Sequence, residues 1–138
     1  MPPVTAARTA VLDASVLVRS VIQPRGAGAE WVAAVNQRKV KAHTATLAFT
    51  EVANALLGYV RAGTVSLADA AEALESLSRV PLRLHGPELA PAALGAAFEL
   101  GLSAYDGTYA ALAESLDAVL VTADRGLATA FGNAELLS

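Results

Sequence analysis

The chain has 138 residues, a formal net charge of −3 at pH 7 and no cysteine. Its length fits one domain, and the absence of cysteine excludes disulfide scaffolds and cysteine-ligated zinc or iron–sulfur sites. Hydrophobic residues make up 54% of the sequence and charged residues 17%, which excludes a disordered chain, while the net acidity restricts any nucleic-acid contact to a local patch.

The first half of the chain predicts helices around two strands. Residues 10–12 are an apolar run that ends at Asp13, which is typical of a strand covered on both faces. Before that strand, the proline-broken start has no pattern of an export signal, and no segment resembles a membrane span, so we expect a soluble cytoplasmic protein. Further elements are helices over residues 14–22, 30–38, 46–63 (capped by Thr46) and 67–78 (capped by Ser66), and a weak strand over 40–44.

The second half continues the alternation of strands and helices. Pro81 weakens a predicted strand over residues 80–84, and Pro87 or Pro91 opens a helix that stops at Gly101. The remaining elements are a helix over residues 103–116, a strand over 118–121, a short helix up to Phe131 and an edge strand over 134–137. This alternation predicts a single α/β domain over residues 1–138, with a mostly parallel sheet of about five short strands.

Acidic residues recur where this sheet would bind a ligand. Asp13 and Asp124 directly follow the two most convincing strands, and ligands of open parallel sheets bind beyond the carboxyl ends of the strands. Asp106 begins the helix that leads into the second of these strands, and Glu51 lies off the apolar stripe of its helix. We therefore expect the four carboxylates to meet at this edge.

Each acid also has a purely structural interpretation. Asp13 and Asp124 can be helix N-caps, Asp106 can complete a capping box with Ser103, and Glu51 can be a solvated residue near a helix N-terminus. Their joint position favours function, because two carboxylates about 4 Å apart repel by about 4 kcal/mol at an effective dielectric near 20. Such a cluster needs protons or cations, and its hard oxygen donors suit Mg²⁺ or Mn²⁺, as in metal-assisted phosphodiester cleavage.

Five segments resemble a known family in the same order. The sequence is similar to PIN-domain ribonucleases, in particular to VapC-type toxins of toxin–antitoxin pairs, and the resemblance covers nearly the whole chain. Gly107 departs slightly from the pattern, since a better helix former is usual after that aspartate. The matching segments are residues 11–15 (VLDAS), 49–56 (FTEVANAL), 61–66 (RAGTVS), 102–113 (LSAYDGTYAALA) and 120–127 (LVTADRGL).

The resemblance implies a PIN-like three-layer sandwich and a Mg²⁺- or Mn²⁺-dependent endoribonuclease. Asp13 and Asp106 would be the most direct metal ligands, and Glu51 and Asp124 would bind through water or complete a second metal position. A metal-bound water would attack phosphorus in line and leave 3′-hydroxyl and 5′-phosphate ends. A cognate VapB-like antitoxin would inhibit the enzyme by laying an amphipathic segment in an apolar groove, and homodimerisation is also implied.

Two hydroxyls near these acids have supporting roles in this interpretation. Ser15 and Thr122 would orient carboxylates or waters by hydrogen bonds, although a helix-start hydroxyl and a strand-end cap are equally ordinary interpretations.

Other residues give weaker signals. Arg125, and the basic cluster of Arg38, Lys39 and Lys41, are candidates for contacts with the RNA backbone, with solvated side chains as the ordinary alternative. His43 and His85 are predicted to be structural. We expect the remaining candidates, namely Tyr105, Tyr109 and Leu112, to belong to the core rather than to a base-stacking surface.

Two other functions fit an acidic sheet edge. A free-standing PIN nuclease in RNA processing would use the same acids without an antitoxin. A receiver-like signalling module also gathers aspartates around Mg²⁺, but it needs a suitably placed lysine, and the only lysines are Lys39 and Lys41 on an early helix–strand connection. A dinucleotide-binding domain fits the sequence less well still, because no glycine-rich turn follows the first strand.

Overall fold

The fold is a five-stranded parallel sheet with helices packed against it. The structure is a computed structural model that describes residues 8–138. The predicted start segment, residues 1–7, lies outside the described residues. The strand order is β3-β2-β1-β4-β5. The strands are β1 (Arg8–Leu12), β2 (Val40–Ala45), β3 (Arg83–His85), β4 (Val119–Thr122) and β5 (Ala134–Leu136). The helices are α1 (Ala14–Ile22), α2 (Ala27–Asn36), α3 (Leu47–Arg61), α4 (Leu67–Ser78), α5 (Ala90–Leu100), α6 (Ala104–Leu116) and α7 (Arg125–Phe131).

The two strands with continuous apolar sequences are the buried centre of the sheet. β1 lies between β2 and β4, and Leu12 is paired with Val121. Both residues are fully buried, as expected for strands covered on both faces. Because the two strands are parallel, their carboxyl ends lie side by side, and the residues after them meet at one edge.

Several element boundaries differ from the prediction for local reasons. β3 begins at Arg83 instead of Val80, because Pro81 has no N–H to donate to a neighbouring strand. Pro87 opens a short 3₁₀ turn before α5 begins at Ala90. The prediction that Thr46 caps α3 is wrong, since its backbone is already helical and its side chain makes no capping hydrogen bond. Within residues 8–138, no helix is long and apolar enough to cross a membrane.

A close contact between α5 and α6 explains the unusual Gly107. A Cβ atom at this position would lie 2.5 Å from the carbonyl oxygen of Ala93 and 2.9 Å from the Cβ of Ala97. Small residues on both helices therefore allow this close approach, which fixes the start of α6. Gly101 ends α5 with a φ of 69°, a left-handed conformation that suits glycine.

Replacing Gly107 by alanine should destabilise the protein, although alanine is the better helix former. We expect Gly107→Ala to lower the free energy of unfolding by about 1–3 kcal/mol, because the added methyl group collides with α5. The matched control is Gly95→Ala in α5, where a Cβ meets nothing within 4 Å. That change should stabilise by about 0.5–1 kcal/mol. Urea unfolding of both variants checks this, and an equal gain for both would contradict the close contact.

Candidate active site

Asp13 occupies the junction between β1 and α1 and is almost completely enclosed. Its side chain is 5% exposed, and its Oδ1 accepts hydrogen bonds from the Ser15 hydroxyl and from the Val16 N–H, the latter at 3.3 Å. Its Oδ2 accepts a hydrogen bond from the Thr122 hydroxyl at 2.5 Å. Burial raises the pKa of Asp13, and these hydrogen bonds partly offset that rise. Asp13 is thus both the N-cap of α1 and a fixed carboxylate at the sheet edge.

Ser15 and Thr122 join the ends of β1 and β4 around this carboxylate. The Ser15 Oγ accepts a hydrogen bond from the Ala123 N–H at 2.8 Å, and the Thr122 Oγ1 accepts one from the Asp124 N–H at 2.9 Å. Each hydroxyl thus accepts from the backbone through a lone pair and donates its own hydrogen to Asp13. Both hydroxyls therefore fix the orientation of the carboxylate and position the segment that carries Asp124.

Glu51 brings a second carboxylate to the same edge from α3. Burial, followed by the charges of Asp13 and Asp106, raises its pKa to about 7, and the nearby Tyr109 hydroxyl lowers it slightly. Glu51 Oε1 is nonetheless buried without a hydrogen-bond partner at good geometry among the described residues, and so is the Tyr109 hydroxyl. A buried carboxylate oxygen without a donor is costly, and a bound cation or water would satisfy it.

Asp106 and Asp124 complete the group. Burial raises the pKa of Asp106, the charge of Asp124 raises it further, and the Ser103 hydroxyl lowers it. Asp124 is exposed and caps α7, because its Oδ1 accepts a hydrogen bond from the Leu127 N–H at 3.2 Å. The structural roles considered for Asp13 and Asp124 are therefore real, and capping leaves at least one further lone pair on each carboxylate. All four acids are linked by mutual repulsion in one region.

The carboxylates fit a divalent cation that keeps part of its water shell. Within residues 8–138, no group of three or more acidic or histidine side chains is arranged to hold a metal ion by itself. Mg²⁺ is commonly held by one or two carboxylates and several waters, so it does not need such a closed group. The unpartnered Glu51 oxygen and the raised pKa of Glu51 are the observations that fit a cation here.

The predicted RNA-binding basic residues lie in two different places. Arg125 is exposed next to Asp124, at the acidic edge. Arg38 and Lys39 are exposed in the turn that enters β2, and Lys41 is exposed near the start of that strand. This is the amino-terminal edge of the sheet, opposite the acids, so the structure does not bring the basic cluster to the carboxylates.

The remaining candidates divide between core and surface. Tyr109 is 1% exposed and Leu112 is equally buried, as predicted. The prediction for Tyr105 is wrong, since it is 66% exposed in the first turn of α6, before the buried stretch of residues 107–113. His43 Nδ1 lies 2.9 Å from His85 Nε2 across β2 and β3, so the two histidines are partners of each other.

Two clefts flank Glu51. The α1–α3 cleft has a volume of about 380 Å³, and the Tyr105 cleft has a volume of about 440 Å³. The α1–α3 cleft lies between two helices next to Ser15 and Asp124, and Arg19 and Glu51 also line it. Its larger apolar and aromatic side chains are Val18, Ile22 and Tyr59. The Tyr105 cleft is lined by Thr50, Glu51, Asn54 and Tyr105.

The comparisons with known proteins agree with this arrangement. The PIN domain family model matches residues 10–131, the span that contains all four acids. The chain belongs to the PIN-domain family. Ribonuclease VapC3 of Pyrobaculum aerophilum is 35% identical to it over 124 residues, which are 88% of this chain and 93% of that protein. The PIN-like α/β fold predicted from the sequence is confirmed.

Solved structures give the same result for the fold. The crystal structure of PAE2754 from Pyrobaculum aerophilum is similar with a TM-score of 0.75 and 33% identity, over 94% of this chain and 90% of that one. VapBC2 from Rickettsia felis, solved bound to a DNA fragment from its promoter, has a TM-score of 0.67 and 13% identity over 94% and 99% of the two chains. At that identity it supports the fold alone.

Replacing Glu51 by glutamine should stabilise the metal-free PIN domain above neutral pH. The folded pKa of about 7 exceeds the ordinary value of 4.5, so the folded state binds the proton more tightly and stability rises as pH falls through 7. Glutamine removes this penalty. We expect Glu51→Gln to be more stable than wild type by about 1–2 kcal/mol at pH 8, after allowance for partial exposure, and the difference should shrink toward pH 5.

Thermal unfolding in the presence of a chelator measures this difference. Glu72→Gln, an exposed residue of α4, is the matched control and should follow the wild type at every pH. A Glu51→Gln variant with the stability of wild type at pH 8 would show that the carboxylate carries no penalty.

Proposed function

We propose that this PIN domain is a Mg²⁺- or Mn²⁺-dependent endoribonuclease of the VapC type. The observation that carries the proposal is the Glu51 carboxylate, whose buried Oε1 has no hydrogen bond of good geometry and whose pKa is raised by burial and then by the charges of Asp13 and Asp106. The 35% identity to a VapC ribonuclease over nearly the whole chain supports the same chemistry. Asp13, Glu51, Asp106 and Asp124 are the proposed catalytic residues.

The four acids have two kinds of role in this proposal. Asp13 and Asp106 would bind the cation most directly, with Glu51 and Asp124 binding through water or at a second position. When bound, the cation would activate water for attack on phosphorus and stabilise charge on the phosphodiester. Ser15 and Thr122 keep Asp13 in one orientation, and Glu51 Oε1 is available to accept a hydrogen bond from a water in the site.

The α1–α3 cleft suits the proposed antitoxin. Its apolar side chains Val18, Ile22 and Tyr59 lie next to the carboxylates of Glu51 and Asp124. An amphipathic segment of a VapB-like protein would bury its apolar face there and place an arginine or lysine among the acids. Such an occupant would neutralise the same repulsion that a metal ion does, and would block the substrate.

We extend the proposal to a homodimer in the cytoplasm, where RNA substrates are found. α5 presents Leu94 and Phe98 on consecutive turns, and they are 69% and 90% exposed. Exposed apolar side chains of this size favour burial against another protein surface, and a second copy is the partner we propose.

A free-standing PIN nuclease in RNA processing is the second candidate, with the same site and no antitoxin. The receiver-like alternative lacks its key residue, because Lys39 and Lys41 lie at the opposite edge of the sheet from Asp13. Growth arrest on expression of wild type, but not of Asp106→Asn, would favour the toxin over the processing enzyme.

Asp106→Asn should abolish RNA cleavage without loss of stability. We expect a decrease in rate of about 100-fold or more, because a proposed metal ligand is lost, and an unchanged or higher Tm, because a repulsive charge is removed. Asp13→Asn should also abolish cleavage, but it should lower the Tm, since the Asn amide would meet two hydroxyls that both donate. Gel analysis of a labelled RNA with Mg²⁺ or Mn²⁺ gives the rates and the 5′-phosphate ends.

The matched control is Asp117→Asn. Asp117 is exposed at the end of α6 with a φ of 49°, a conformation that asparagine also adopts, so this variant should cleave at the wild-type rate. A chelator should stop cleavage by wild type, and added Mg²⁺ or Mn²⁺ should restore it. Cleavage by Asp106→Asn at the wild-type rate, or cleavage in the chelator, would refute the proposed site.

A further inference from the structure

An exposed aromatic ring borders the carboxylates on α6. Tyr105 is 66% exposed although it directly precedes Asp106, whereas Tyr109, one turn later on the same helix, is 1% exposed. The apolar area of the Tyr105 ring therefore contributes little to the core. The backbone at Tyr105 is nonetheless fixed, because Ser103 caps α6 through the Asp106 N–H at 3.2 Å, and the close contact at Gly107 sets the start of the helix.

The other wall of the Tyr105 cleft is polar. Thr50 and Asn54 are exposed on α3, on either side of Glu51 in the sequence, and they line the cleft together with Glu51. An amide side chain both donates and accepts hydrogen bonds, and a hydroxyl does the same. At about 440 Å³ the cleft falls within the size range of small-molecule pockets, and Glu51 connects it to the catalytic acids.

This combination matches the way proteins bind unpaired bases. Single-stranded RNA is recognised by stacking of its bases on aromatic side chains and by hydrogen bonds to their polar edges. Long-range electrostatic attraction is weak here, because the chain has a net charge of −3 and the acids repel phosphate. Stacking of a base on an aromatic ring depends little on net charge, so it can supply affinity for RNA where electrostatic attraction does not.

We propose that the Tyr105 cleft binds one unpaired base of the RNA next to the scissile phosphate, with the Tyr105 ring as the stacking surface. Asn54 and Thr50 contact the edge of that base and bias the choice of nucleotide at the cleavage position. This inference rests on the proposed ribonuclease function and adds to it three side chains outside the acidic group, namely Tyr105, which stacks on the base, and Asn54 and Thr50, which select it.

The lining of the two clefts favours RNA over a protein segment at Tyr105. The α1–α3 cleft lies between two helices and has several apolar side chains, as a groove for an amphipathic segment requires. The Tyr105 cleft has one large apolar side chain, the Tyr105 ring, and its other lining side chains end in a hydroxyl, an amide and a carboxylate.

Substitutions at Tyr105 separate stacking from other roles of the ring. We expect Tyr105→Ala to raise KM for RNA about tenfold with a smaller change in kcat, while Tyr105→Phe, which keeps the ring, stays within about twofold of wild type. Tyr105→Leu should resemble the alanine variant, because it restores apolar volume without an aromatic face. The side chain is exposed, so all three variants should keep the Tm of wild type.

The probe is a pool of randomised single-stranded RNA oligonucleotides carrying a fluorophore and a quencher, assayed with Mg²⁺ or Mn²⁺. Sequencing of the cut products from wild type and Asn54→Ala should show a changed base preference at one position next to the cut. The same RNA annealed into a duplex should be cut at least tenfold more slowly by wild type.

The outcomes distinguish this inference from the function on which it rests. If wild type cuts the pool and Tyr105→Ala does so with unchanged KM, the base-binding cleft is wrong and the ribonuclease stands. If Tyr105→Ala keeps its KM for RNA but loses self-association or antitoxin binding, the ring belongs to a protein interface and the inference is overturned. If wild type cuts no RNA with either metal, both proposals fail.

Discussion

The buried carboxylate of Asp13 is the constraint on which the site depends. It accepts hydrogen bonds from Ser15 and Thr122, and these hydroxyls accept from the backbone after β4, so one side chain fixes the two central strands relative to each other. Burial still disfavours the charge of Asp13, and burial together with the charges of Asp13 and Asp106 raises the pKa of Glu51. The free protein therefore holds an unfavourable concentration of negative charge. A cation that neutralises this charge relieves the repulsion between the carboxylates, and that relief favours its binding.

Much of the fold and of the acidic group follows from the sequence. The apolar runs that end at Asp13 and Thr122 predict two central strands, and parallel strands bring their carboxyl ends together. Glu51 joins the group because it lies off the apolar stripe of its helix, and the order of the family motifs supports the same assignment. In the chain, two helices and a strand lie between Asp13 and α3, and the packing of α3 against α1 brings the Glu51 carboxylate near.

The details that the sequence missed depend on contacts between distant elements. Glycine is a poor helix former, so the sequence gives no reason for Gly107 within α6. The reason is the contact with α5, where a Cβ at this position would collide with Ala93 and Ala97. Tyr105 and Tyr109 are both tyrosines of α6, but Tyr105 lies in the first turn, before the buried stretch of the helix. The basic residues before β2 are close to β1 in space, yet they are at the wrong end of a parallel sheet, and composition alone does not show this.

The most direct test of the account is the thermal stability of wild type during titration with MnCl₂ at pH 8, against NaCl of the same ionic strength. A cation bound among the four carboxylates stabilises the folded state, so the Tm should rise with Mn²⁺ and then follow the logarithm of its concentration above the Kd. The rise should be strongly reduced in Asp106→Asn. A Tm that responds to MnCl₂ no more than to NaCl would contradict the claim that these carboxylates bind a divalent ion.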